Sequence, residues 1–178
     1  MFLHLTVHRH RQIFAYCYNA IMSQKYVIAH FIESVEPKFN FSCKKWPLHI
    51  TLLPNFVITV SLDELIAKLS KISESTKPFD IKVGDDARFG PSGEVLVSLI
   101  EPEPAILSLH HKLQAITEHY KFDTPHYIGD GYRPHATKQA NKKLISGKSY
   151  PLSSITLVDM FPNNDIQRRE IIKNFYFD

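Results

Sequence analysis

Cysteine, glycine and long apolar runs are all scarce in this chain. Only two of its 178 residues are cysteines, Cys17 and Cys43, and they form no C-x-x-C pair. A disulfide-stapled scaffold is thereby excluded, and a reduced, cytoplasmic protein is the expectation. Six glycines and eleven prolines, without a period, exclude collagen-like and low-complexity chains. No Gly-rich phosphate loop follows any strand-like segment. The longest stretch without Asp, Glu, Lys or Arg, Trp46 to Leu62, is broken by Pro47, His49, Pro54 and Asn55. A bilayer span wants about 20 predominantly apolar residues, so none is expected here. Charge of one sign is in little excess: 21 Lys and Arg against 18 Asp and Glu give +3. A surface for long duplex nucleic acid needs a stronger basic bias. What is present, 44% hydrophobic and 12% aromatic, suits a globular chain of one domain's length.

The first 21 residues carry Arg9 and Arg11, no acid, and no apolar run longer than Ile13–Tyr18. A secretory signal wants an apolar stretch of about 7–15 residues and a small-residue cleavage site, and neither is convincing. Met22 opens a short polar lead into a strand-like segment. Residues 1–21 are therefore expected to lie outside the fold, as an extension or a mis-assigned start, with 22–178 forming a single domain. Beyond them charge is locally uneven. Lys44 and Lys45 are the only charges between Asn40 and Val57, and Arg133, Lys138, Lys142 and Lys143 the only ones between Gly131 and Lys143. Two positive islands in a near-neutral chain suggest a small anionic ligand.

Strands are expected at Tyr26–Glu33, Leu48–Val60, Phe79–Val83, Glu94–Ile100, Tyr132–Thr137, Ile155–Phe161 and Ile171–Phe177, where β-branched and aromatic residues concentrate. Ser61 and Glu64 form a capping box before Leu62, Leu65, Ile66, Leu69 and Ile72 at helical spacing, predicting a helix to about Ser75. Pro104 suits a first helical turn, and Ile106, Leu109, Leu113, Ile116 and Tyr120 stripe a second helix. Strands and helices do not alternate strictly, so an α+β architecture with antiparallel sheets is expected.

His49-Ile50-Thr51 and His135-Ala136-Thr137 each place His and Thr two residues apart. On a strand such residues share a face, so imidazole and hydroxyl stand side by side. With 10 His and 8 Thr, composition alone supplies about half of one such tripeptide, and His4-Leu5-Thr6 in the extension is taken as that chance copy. The other two lie 86 residues apart in strand-like segments, each with a proline within two residues before the His and each beside a positive island.

The segments PLHITL, FGPSGEVLVSLI, LSLHHKL and GYRPHAT together resemble the two-histidine phosphoesterases, the family of 2′,5′-RNA ligases and RNA cyclic phosphodiesterases, over about Tyr26 to Phe177. The resemblance implies a bilobal α+β fold with two antiparallel sheets related by pseudo-twofold symmetry, flanking helices and a central cleft. It implies a hydrolase in RNA processing, acting without cofactor or metal on RNA termini or nucleotides that bear a 2′,3′-cyclic phosphate, or joining ends through a 2′–5′ bond. No stable protein partner is implied and a monomer is expected. By that analogy His49 is the acid and His135 the base, with Thr51 and Thr137 donating to non-bridging oxygens.

The chemistry of the residues agrees. Opening a cyclic phosphodiester needs a base for water and an acid for the leaving ribose oxygen, and imidazole serves either role near neutral pH. Where the family usually has an apolar residue, Lys138 follows the second motif, so the strand is expected to end or twist there. Lys138 and Arg133 are candidate phosphate or ribose contacts, against the alternative of solvated lysine and arginine. Tyr132, Phe56, Trp46 and Phe89 are candidate base-stacking residues, against core packing for each. His110, His111 and His119 invite a metal, but no H-E-x-x-H or Cys partner accompanies them. A metal-dependent hydrolase and a catalytically silent RNA- or nucleotide-binding module are the rivals. A chain beginning at Met22 is expected to keep the full activity, checked by assaying both lengths on one cyclic phosphate.

Overall fold

The computed structural model describes residues 24–117, 121–124 and 127–178, so the expected N-terminal extension, Tyr120, His119 and His126 lie outside the described residues. The element order is β1 (Lys25–Phe31), β2 (Asn40–Ser42), β3 (His49–Val57), α1 (Leu62–Glu74), β4 (Phe79–Phe89), β5 (Val95–Ile100), α2 (Pro104–Ala115), β6 (Lys121–Phe122), β7 (His135–Thr137), β8 (Ser149–Leu152), β9 (Ser154–Asp159) and β10 (Arg168–Tyr176), with short 3-10 turns at Gly129–Gly131 and Pro162–Asn164. The strands form an antiparallel sheet in the order β2-β10-β9-β1-β3-β7-β5-β4-β8, with β6 added on β3. The two expected sheets are thus the halves of one continuous path, joined where β3 meets β7.

Both helices pack on one face. Leu65, Leu69 and Ile72 of α1 and Ile106, Leu109 and Leu113 of α2 share a core with Ile28, Ile50, Phe56, Ile81, Ala136 and Leu157 of the sheet. Ser61 caps α1 as its box pattern predicts, its Oγ accepting the Glu64 N–H at 3.2 Å. On the opposite face a smaller core of Val27, Ala29, Phe31, Val35, Phe41, Val158, Met160 and Ile171 forms where the 32–48 segment folds back over the sheet. The strand residues of this second core come from β1, β2, β9 and β10 and none from β3 or β7, so it covers one half of that face, with Phe31 at its border paired in register with His49.

Several boundaries differ from the sequence expectation. β4 continues past Val83 through the polar Gly84–Arg88, because a register shift between Val83 and Asp86 lets it keep pairing with β5. β7 begins at His135, not Tyr132, so Arg133 precedes the strand and does not share its face by alternation. β7 does end at Thr137, before Lys138. β2, β6 and β8 are additions, two to four residues long each. Replacing Ser61 with Ala removes the cap of α1 and is expected to cost about 1 kcal/mol, read as a melting temperature roughly 2–4 °C lower.

Candidate active site

The seam between the halves rests on one registered pair, Ile50 opposite Ala136, both buried on the helix side. The residues flanking that pair must point the other way. The antiparallel register therefore sets His49 across from Thr137 and Thr51 across from His135. Two tripeptides 86 residues apart become one rectangle of two imidazoles and two hydroxyls on the face away from the helices. Directly opposed side chains in such a pair stand about 4.5–5.5 Å apart at Cβ, a span that fits a phosphoryl group. β5 completes the second side: Val97 pairs with Thr137 and Leu99 with His135.

The histidines are oriented alike. His49 Nδ1 lies 2.8 Å from the Pro47 carbonyl oxygen, and His135 Nδ1 lies 2.7 Å from the Arg133 carbonyl oxygen. A carbonyl only accepts, so Nδ1 carries the proton and donates in both rings. Nε2 is then the lone-pair nitrogen of each neutral imidazole. No described residue hydrogen-bonds either Nε2 or the hydroxyl of Thr51 or Thr137. The four groups are free for a ligand, and each imidazole can take or give a proton at Nε2 alone.

Their surroundings differ. His49 packs against Trp46 (ring centroids 4.6 Å) and Phe31 (5.6 Å). His135 meets Phe89 edge-on at 4.8 Å, and the Arg133 guanidinium covers the same Phe89 ring at 5.0 Å. Burial pushes the His49 imidazole down to about 4, with His135 nearby adding to the shift and the Pro47 carbonyl opposing it. His135 is lowered as well, by burial first and by the Arg133 charge, against the Arg133 carbonyl. Both rings are therefore neutral at pH 7.

The other candidates fall in different places. Trp46 and Phe89 line the histidine face. Phe56 does not: it is fully buried in the helix-side core against Tyr26 and Phe122, so packing replaces the stacking role considered for it. Tyr132 is also turned inward, its hydroxyl donating to the Thr51 carbonyl at 3.0 Å and its ring stacked on His110. Arg133 and Lys138 are exposed beside the second motif. The second positive island is partly neutralised from afar, since Lys142 pairs with Glu33 at 2.6 Å and Lys143 with Asp86 at 2.5 Å. Among the described residues no three of His, Cys, Asp and Glu gather as metal ligands. Phe31 had no role assigned from the sequence, and His110, weighed there only for a metal, bonds to the backbone at Leu52 and Gly129; a strand end and a buried helix position give no local sign of what they touch.

The 2′-5′ RNA ligase superfamily model matches residues 26–146, and the chain belongs to that family. Among solved structures it is similar to TT0787 of Thermus thermophilus, with 19% identity and a TM-score of 0.58 over 86% of this chain and 97% of that one. A structure described as a phosphoesterase gives 14% identity and 0.58 over 88% and 99%. E. coli LigT complexed with 3′-AMP gives 16% and 0.54 over 88% and 99%. At these identities the likeness establishes the fold. No curated protein matches the chain. No helix of the described residues is long and apolar enough to cross a membrane.

The depressed imidazoles carry a stability consequence with a definite sign. A histidine whose folded pKa lies below its unfolded value of about 6.5 binds more protons unfolded than folded between the two values. Stability therefore falls as pH drops from about 6.5 toward 4, and His49 contributes across that window. Urea midpoints measured from pH 7 to 4 are expected to decline, less steeply in His49→Gln.

Proposed function

We propose that the chain opens 2′,3′-cyclic phosphates on RNA ends or nucleotides with His49 and His135 as an acid–base pair, a 5′-hydroxyl attacking in place of water giving 2′–5′ ligation. The observation that carries this reading is the facing of the two His-x-Thr motifs across the Ile50–Ala136 pair. In the hydrolytic direction one Nε2 takes a proton from water as its oxygen attacks phosphorus. The other Nε2–H gives its proton to the ribose oxygen as the P–O bond breaks. If the 3′ oxygen leaves, the product is a 2′-phosphate, and the analogy assigns His49 to the acid and His135 to the base.

Thr51 and Thr137 are placed to donate to the non-bridging oxygens, whose charge grows during attack. The two fixed Nδ1–H tautomers serve the same end, because each ring keeps one working nitrogen and cannot present the wrong one. An acid must be protonated, and both rings are neutral on their own at pH 7. A bound phosphodiester anion supplies the missing favourable charge and raises the pKa of the ring it touches. The complex of E. coli LigT with 3′-AMP supports a nucleotide as the ligand class. Trp46 and Phe89, at the two ends of the rectangle, are the aromatic surfaces on which a base would stack.

His49→Ala and His135→Ala are each expected to lower turnover of a 2′,3′-cyclic nucleotide by about 10²–10⁴, with the fold intact by circular dichroism. The pH–rate profile is expected to be bell-shaped. The variant that loses the alkaline limb identifies the acid. Near-normal rates in either variant would sink the acid–base pairing, tight binding without turnover in the unaltered protein would favour a silent binding module, and loss of activity on chelation would favour a metal enzyme.

A further inference from the structure

β3 is irregular immediately behind Thr51. Ala29 of β1 pairs with Thr51, but the next β1 residue back, Ile28, pairs with Leu53, so Leu52 has no ladder partner on that edge. On the other edge β7 pairs at Ile50 and β6 only from Phe56. Such an extra residue bends a strand and re-aims its neighbours. Two consecutive carbonyls at this point are taken by side chains. The Leu52 carbonyl oxygen lies 2.7 Å from His110 Nδ1, and the Thr51 carbonyl oxygen accepts the Tyr132 hydroxyl at 3.0 Å.

The two side chains work as a unit. Their rings stack at 3.9 Å with only 4° between planes. His110 is fully buried on α2, and its Nε2 accepts the Gly129 N–H at 2.9 Å. Nδ1 must therefore donate to Leu52 while Nε2 accepts, which fixes a neutral ring in one tautomer. Burial lowers the proton affinity of this imidazole, in keeping with that state. Gly129 opens the turn that leads through Tyr132 to the second motif. One imidazole thus ties the strand behind the first motif to the approach of the second, through a path inside the core.

We propose that His110 and Tyr132 are positioning residues: they hold the Thr51–Leu52 bulge and so fix where the Thr51 hydroxyl stands relative to His135. The proposal rests on the reading of Thr51 as a donor to a phosphate oxygen. Neither residue touches the substrate, and their effect passes through Thr51. A residue that served only the core would cost the protein the same whether or not Thr51 had a hydroxyl.

The test is a double-mutant cycle between Tyr132→Phe, which keeps the ring stack and removes the hydroxyl, and Thr51→Ala. Tyr132→Phe alone is expected to lower kcat/KM for a 2′,3′-cyclic nucleotide about tenfold, and by less than about twofold when Thr51 is already Ala. Equal losses in both backgrounds, or no loss in either, would overturn the proposal. The same cycle is run on inorganic phosphate affinity by calorimetry, where Tyr132→Phe is expected to weaken binding only while Thr51 is present. If the protein binds phosphate but turns over no cyclic substrate, the proposed activity fails, and the binding cycle alone then decides this inference by the same two patterns.

Discussion

The site depends on one backbone pairing between β3 and β7. Ile50 and Ala136 form a single registered pair, and β7 is three residues long. A one-residue slip of β7 against β3 would turn His135 and Thr137 into the helix-side core and bring Ala136 out, while His49 and Thr51 stayed where they are. Burial guards against the slip. Ile50 and Ala136 are both sealed under the helices, and Ser98 of β5 stands against Ala136 from the other side. So short a strand cannot hold a register alone, and β5 supplies the second ladder that β7 needs. The chemistry is thus anchored by apolar packing on the face opposite to it.

Given that register, symmetry and asymmetry divide the work. The backbone treats the two histidines alike, each Nδ1 held by the carbonyl two residues earlier. The side-chain surroundings do not. His49 stands between Phe31 and Trp46 at the border of the smaller core, whereas His135 stands by Phe89 with a guanidinium on the same ring. Paired titratable groups in unlike environments are how one site separates an acid from a base. In the proposed reaction the smaller core does more than pack, since the burial it helps to provide lowers the His49 imidazole to about 4.

Much of this was legible in the sequence. The His-x-Thr spacing, the capping box at Ser61 and the helical stripes each express a local period, and local periods survive folding. The short strands did not show, because two or three residues carry no period. Ser149–Leu152 even contains Pro151, which is tolerated because β8 lies at the end of the sheet order, where a missing N–H costs least. Phe56 illustrates another limit. It lies seven residues beyond His49, so alternation from the motif already sets it with Ile50 and Leu52 on the helix-side face, where it is buried; an aromatic side chain near the motif is no sign of the face it takes. The lysine islands fail for a third reason: Glu33 and Asp86, which neutralise Lys142 and Lys143, are remote in sequence and adjacent only in space.

That neutralisation bears on how an anion would be held. Of the six cations in the islands, Lys44, Lys45, Arg133 and Lys138 have no carboxylate in ion-pair contact among the described residues, and all four are exposed. Exposed charges attract an anion from solution but discriminate little between its states once it is bound. The rectangle itself holds no permanent charge, only two hydroxyls and two imidazoles kept neutral by their surroundings. In the proposed reaction an imidazole becomes cationic because the phosphodiester is there, so binding and protonation are one linked equilibrium. A site built from permanent cations would hold the product phosphomonoester, which carries more charge than the substrate diester, the more tightly. One that acquires its charge from the ligand can follow the charge as it moves from ring phosphodiester to transition state, where differential binding counts.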